Sequence, residues 1–103
     1  MQRGDVRQAA EKAWGAAALA VKAYAAWRDG RRLTSHGELW EYIGVLKREL
    51  GDWASDAWYA GQSMYVCFYE GWCKPFHVRD ALERIERLVQ EVVRRVLGEG
   101  VGA

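Results

Sequence analysis

Four runs of helical periodicity, each bracketed by residues that start or stop a helix, leave this chain little to become but a bundle of helices. The first opens on Asp5 as N-cap with Gln8 three residues on, and its apolar stripe steps through Val6, Ala10, Ala13, Ala17, Ala20, Tyr24 and Trp27. Asp29-Gly30 ends it. Ser35 and Glu38 form a second capping box, followed by Leu39, Ile43, Leu46 and Leu50, with Gly51 as the stop. Asp52 is placed to cap a third helix whose face is Trp53, Ala57, Ala60, Met64, Cys67 and Phe68. Pro75 suits the first turn of the fourth, where no amide donor is lost, and Val78, Leu82, Ile85, Val89, Val92 and Val96 form its stripe up to Gly98. The helices therefore fall at about 5–28, 35–50, 52–70 and 75–97, with a frayed Gly-rich tail over 98–103. No strand pattern competes with them.

Connections this short favour antiparallel neighbours, so the expected fold is an all-α, up-down-up-down four-helix bundle in one domain covering 1–103. A stripe made mainly of alanine in the first helix lets a partner helix approach closely. If the helices alternate in direction, one end of the bundle collects Arg28, Arg31, Arg32, His36, Cys67, Tyr69, Glu70, Cys73, Lys74 and His77. Both histidines and both cysteines are then together, which makes that end the first place to look for a functional surface. The plainer reading is that helix ends gather polar residues in any bundle, with His36 and His77 as ordinary first-turn residues.

Composition narrows the partners. Six Trp and five Tyr in 103 residues are more flat amphipathic surface than a small core encloses, which points to an oligomer. A formal charge of +1 supplies no overall field to recruit nucleic acid or acidic lipid. The absence of Asn fits a thermophile, and the excess of Arg fits a GC-rich genome. No signal peptide opens the chain, and the Ala-rich run from Ala16 to Trp27 is too short and too weakly apolar to span a bilayer, so a cytoplasmic protein is expected. Cys67 and Cys73 lack the framework of spacings of a disulfide-built fold and read as buried free thiols.

Few motifs carry chemistry. Arg31 and His36, with four residues between them, match the Arg-x(4–6)-His spacing of some helical RNA-cleaving domains, in which His moves the 2′-hydroxyl proton and Arg steadies the phosphate. With so many arginines present the match is of low specificity. Arg28, Arg31 and Arg32 form an anion-binding candidate beside helix N-termini, though no Gly-rich phosphate loop accompanies them. The chain lacks the Glu-x-x-His step of di-iron bundles and the closely paired ligands of zinc sites, so no metal or other cofactor is expected. On the fourth helix Asp80–Arg84, Glu83–Arg87 and Glu91–Arg95 are spaced for ion pairs, which describes a self-neutralised, solvated face.

Three strings carry a resemblance: Gly4-Asp5 to Glu11-Lys12-Ala13-Trp14-Gly15-Ala16-Ala17, then Ser35-His36 to Leu39-Trp40, then Phe68-Tyr69-Glu70. The chain resembles the archaeal PaREP repeat-gene family, whose members resemble HEPN domains (higher eukaryotes and prokaryotes nucleotide-binding), from about Gly4 to Val96. The resemblance implies a helical bundle paired as a homodimer. It also implies a place near proteins that act as RNases or as partners of minimal nucleotidyltransferases in toxin–antitoxin pairs. Tyr65 and Cys67 stand where that family commonly has His and Asn, and Arg31–His36 lies away from the usual HEPN catalytic position. The expectation is therefore a homodimeric HEPN-like binding or assembly module, taking nucleotide, RNA or a nucleotidyltransferase partner. The alternative is a metal-independent, toxin-type ribonuclease using Arg31 and His36. Candidate ligand-binding residues are Arg28, Arg31, Arg32, His36, Tyr69, Glu70 and His77, and the family-matching residues are Glu11, Lys12, Trp14 and Trp40.

Overall fold

The computed structural model describes residues 3–102, and side chains from Asp5 to Gly98. Four helices account for nearly all of it: α1 (Arg3–Asp29), α2 (His36–Leu50), α3 (Asp52–Glu70) and α4 (Pro75–Gly102). There is no strand among the described residues. The protein is an all-α bundle, as the periodicity requires.

The helix ends follow local chemistry, with three shifts from expectation. Ser35 and Glu38 form the capping box, the Ser35 side chain accepting from the Glu38 amide while Glu38 accepts from the Ser35 amide. Asp5 is not an N-cap: α1 already begins at Arg3, so Asp5 lies in its first turn, where a carboxylate favours the helix dipole. Asp52 is not a cap either. Gly51, at a φ of 112° that only glycine takes up easily, ends α2 and caps α3 by itself, and Asp52 is the first residue of α3. Gly98 does not stop α4, because it keeps a negative φ and nothing turns the chain there; the helix runs on to Gly102. Ala103, the last residue of the tail expected to fray, lies outside the described residues.

Helix direction departs from alternation. Arg7 meets Phe68, Trp14 meets Tyr65, and Ala17 faces Gly61, so α1 and α3 are antiparallel. His36 meets Gln62 and Trp40 meets Trp58, so α2 and α3 are antiparallel as well. Trp72 with His77, and Trp53 with Arg87, set α4 against α3 in the same way. Three helices opposed to α3 must share a direction. His36 accordingly lies at Trp14 while Glu49 reaches Tyr24, and a groove between α1 and α4 passes from Lys12 and Leu82 to Ala23 and Val93.

The cause is the connection after α1. Residues 30–35 do not make a tight turn but run back along α1, with Leu33 buried and sharing a recess with Leu19, Lys22, Ala23 and Ala26. Gly30, at a φ of 63°, starts that reversal. The order of directions is up-up-down-up. Consequently α1 and α3 form the central pair, with α2 and α4 on opposite sides and without close backbone approach to each other among the described residues.

α1 and α3 approach closely at Ala17 and Gly61, where two small residues let the backbones meet. The stripes read from the periodicity are the buried ones on α1 and α2. On α3 the buried arc is wider, taking in Ala54, Ser55, Trp58 and Gly61, because three helices surround it. On the outer face of α4 only Glu91–Arg95 forms the expected ion pair, at 2.8 Å, and Arg94 joins it. Arg84 instead donates to the Asp80 backbone carbonyl, and Arg87 lies 4.1 Å above the Trp53 ring, where a cation gains from the indole face.

Candidate functional site

The shared direction of α1 and α2 splits the reactive cluster that alternation would have assembled. Arg28 lies at the end where α1 and α2 finish, and Arg31 on the returning segment, beside Glu38 in the first turn of α2. Tyr69, Glu70, Cys73, Lys74 and His77 lie at the other, and His36 sits between, against the middle of α1.

The arginine group is already neutralised. Arg28 pairs with Asp29 at 2.8 Å and with Glu49, and Arg31 approaches Glu38 at 4.0 Å while lying over the Tyr42 ring. At the α2 N-terminus, the other half of the proposed anion site, the Thr34 and Ser35 amides donate to the Glu38 carboxylate and the Glu38 amide to Ser35 Oγ. Arg32 is exposed in the connecting segment. These residues form a structural lock. Tyr24 donates to Glu49, and Tyr42 donates to Asp29 at 2.6 Å. The Tyr24 hydroxyl, with Arg28, holds the Glu49 carboxyl below the usual carboxylate range; burial, then the bond to Asp29, pushes the Tyr42 phenol up to about 12.

A lowered carboxyl pKa stabilises the folded chain above the unfolded value of about 4.5, and the gain is lost as pH falls through the lower folded value. Unfolding midpoints in urea will hold steady from pH 7 to about 5 and fall below 4.5. Glu49→Gln will flatten the part of that fall due to this carboxyl. An equally steep fall in the variant would assign the acid sensitivity elsewhere.

His36 has a different environment. Its ring lies 5.2 Å from Trp14 and 5.4 Å from Tyr65, and its Nε2–H donates to Gln62 Oε1 at 2.9 Å. Trp14 also meets Trp58, and Tyr65 continues to Tyr69 at 4.9 Å and so to Phe68. On the other side of Trp58, Trp40 stacks on Tyr59 at 5.8 Å. The result is an aromatic seam across α1, α2 and α3. Its members come from three distant strings of the sequence: Trp14; His36 and Trp40; Phe68 and Tyr69. Tyr65, Gln62 and Trp58 complete it and were missed, although steps of four, three and four along 58, 62, 65 and 69 mark one helical face. Glu11 and Lys12 stay exposed on α1, where Lys12 borders the α1/α4 groove.

No contact joins His36 to Arg31 among the described residues. The groups around His36 are rings and an amide, with neither a carboxylate to orient the imidazole nor a guanidinium to meet a phosphate. His77 takes a structural role, its Nδ1 accepting the Lys74 amide at the start of α4, between Trp72 and Phe76. Glu70 accepts from the Trp72 indole.

Cys67 and Cys73 form a disulfide, against the expectation of free thiols. Gly71, in the left-handed region, folds the chain back after α3 and brings their Cα atoms to 5.5 Å, a proximity that six residues of separation do not reveal. Among the described residues no group of three or more His, Cys, Asp or Glu side chains is placed to hold a metal ion, and no helix is long and apolar enough to cross a membrane. Neither curated proteins nor solved structures include a match to the chain. A family model does match, over residues 1–89, and all three strings that build the aromatic seam lie within it. The chain belongs to the archaeal PaREP1/PaREP8 family.

Proposed function

We propose that this chain is a binding and assembly module of HEPN-like type, working as two copies and without chemistry of its own. Its α2/α3 aromatic face is the surface that takes a protein partner. The observation that carries this reading is the Trp40–Tyr59 pair, 43% and 47% exposed and stacked on each other, continuing along α3 to exposed Val66 and Tyr69. Rings held in place by neighbouring rings lose little freedom on binding, which makes them effective anchors. Exposed Ser63 supplies a hydroxyl between them, the mixture expected of a protein interface. A nucleotidyltransferase is the partner class that the family resemblance suggests.

Nucleotide or RNA would also find stacking surfaces here, but a strand-binding face needs cations along it. Arg28 and Arg31, two of the candidate anion-binding residues, are committed to acids instead. This favours a protein ligand.

Light scattering with absorbance detection, together with co-purification against a neighbouring nucleotidyltransferase, tests the reading. The expected result is a homodimer with no excess absorbance near 260 nm that retains the partner. Trp40→Ala and Tyr59→Ala will then lose the partner while lowering stability by no more than about 2 kcal/mol, since both rings are only half-buried. Co-purifying RNA, with cleavage abolished by His36→Ala in a folded variant, would support the ribonuclease alternative that uses Arg31 and His36.

A further inference from the structure

The turn between α3 and α4 is closed by the Cys67–Cys73 bond, whose two ends have unlike surroundings. Cys67 lies in the last turn of α3 and is fully buried in the core. Cys73, in the connection at 71–74, packs against that core but keeps part of its surface open to solvent. A thiolate breaks a disulfide by attacking the sulfur it can reach, so access selects the site of reaction. Of the two, that is Cys73. Other restraints on this turn are slight. The Gly71 amide donates to the Cys67 carbonyl as a single helix-end bond, and two exposed bonds run from the Trp72 indole to Glu70 and from Arg7 Nε to the Phe68 carbonyl. Tyr69, Trp72 and Phe76 are exposed beside them. Exposed bonds at a helix end open at little cost, which leaves the disulfide as the main restraint on the last turn of α3.

We propose that the Cys67–Cys73 bond is a redox clasp: a dithiol reductant attacks Cys73 Sγ, and opening the bond frees the last turn of α3 together with the 71–74 connection. In the first step one thiolate of the reductant bonds to Cys73 Sγ, the Cys67–Cys73 bond breaks, and Cys67 leaves as a thiolate that takes up a proton. In the second, the reductant's other thiolate attacks the reductant sulfur of the mixed disulfide, and Cys73 leaves and is protonated in turn. Two electrons pass from the dithiol to the protein. The dithiol becomes a cyclic disulfide, and its two thiol protons are balanced by those gained at Cys67 and Cys73. A monothiol does this poorly. Cys67 is held with its Cα 5.5 Å from that of Cys73, so it returns and expels a single thiol before a second one arrives. The clasp therefore ignores stray monothiols and answers to a dithiol.

Two measurements on the full chain decide it. In the first, folded protein is treated with dithiothreitol or with glutathione, and thiols are then capped in urea and counted by mass spectrometry. Dithiothreitol will open the bond without denaturant, while glutathione will leave it mostly closed, with any mixed disulfide mapped to Cys73. In the second, amide hydrogen exchange over residues 68–74 will be about tenfold faster or more in the reduced protein, with exchange over 54–64 unchanged. Cys73→Ser, at a partly exposed position, will show the same fast exchange with no reductant present. Two free thiols in protein equilibrated with air, a bond that yields to dithiothreitol only in urea, or a mixed disulfide on Cys67 would each overturn the proposal. So would exchange over 68–74 that is the same in oxidised, reduced and Cys73→Ser protein.

Discussion

Replacing Trp58 with alanine will lower the free energy of unfolding by about 3–5 kcal/mol, the largest loss expected from any single substitution in this chain. Trp58 is fully buried and lies where α1, α2 and α3 meet, against Trp14 on one side and the edge of Trp40 on the other. Alanine would remove that volume and leave a cavity that three helices in mutual contact cannot close. Part of the indole works against stability, however. Its Nε1–H is buried and meets no acceptor, as does the Nε2 of Gln62 one turn later. A buried donor without a partner costs about 1–3 kcal/mol. Trp58→Phe, which keeps much of the ring and deletes that donor, will therefore cost no more than about 2 kcal/mol. Urea unfolding followed by circular dichroism distinguishes the two. Equal losses in both variants would show that the indole N–H is not a burden on the fold.

Gly61 gives the second large effect, with its sign set by one distance. A Cβ built there lies 2.8 Å from the Ala17 Cβ, well inside the approach that carbon atoms tolerate, and 3.8 Å from Ile85 Cδ1. Alanine in a helix interior is ordinarily worth about 0.5–1 kcal/mol over glycine. At Gly61 that gain is outweighed, because α1 and α3 must separate at this close crossing, and Gly61→Ala will destabilise by about 1–3 kcal/mol. Gly61→Leu will disrupt the α1/α3 pair outright. The control lies on α1 itself: Gly15 has nothing within 4 Å of its built Cβ, so Gly15→Ala will stabilise by about 0.5–1 kcal/mol. A stabilised Gly61→Ala variant would mean that the central pair has slack. In that case the small-residue contact would not set the helix spacing.

These two positions show where reading the chain succeeds and where it stops. Ala17 belongs to an alanine stripe that periodicity picks out, and the expectation of close approach follows from it; nothing in the sequence says that Gly61 is the residue approached. Trp58 is one step off the stripe assigned to α3, and a single stripe cannot describe a helix enclosed by three others. The same limit governs the site. Trp14, His36, Trp40, Phe68 and Tyr69 are visible as matching strings, yet their convergence depends on α2 starting beside the middle of α1.

The sequence by itself determined the number of helices, their approximate ends, the capping box at Ser35, and most of the core stripes of α1 and α2. All of these are local: they depend on a repeat near 3.6 residues and on side chains that bond their own backbone. Helix direction belongs to the tertiary structure, since Leu33 holds residues 30–35 along α1 only when Leu19 and Ala23 are there to pack against. That one packing choice moved Arg28 and Arg31 away from Tyr69 and His77 and placed His36 among rings. The Cys67–Cys73 bond was settled in the same way, by a left-handed turn at Gly71 closed over Arg7 of another helix. Such decisions rest on contacts between residues far apart in the chain, and no local pattern records them.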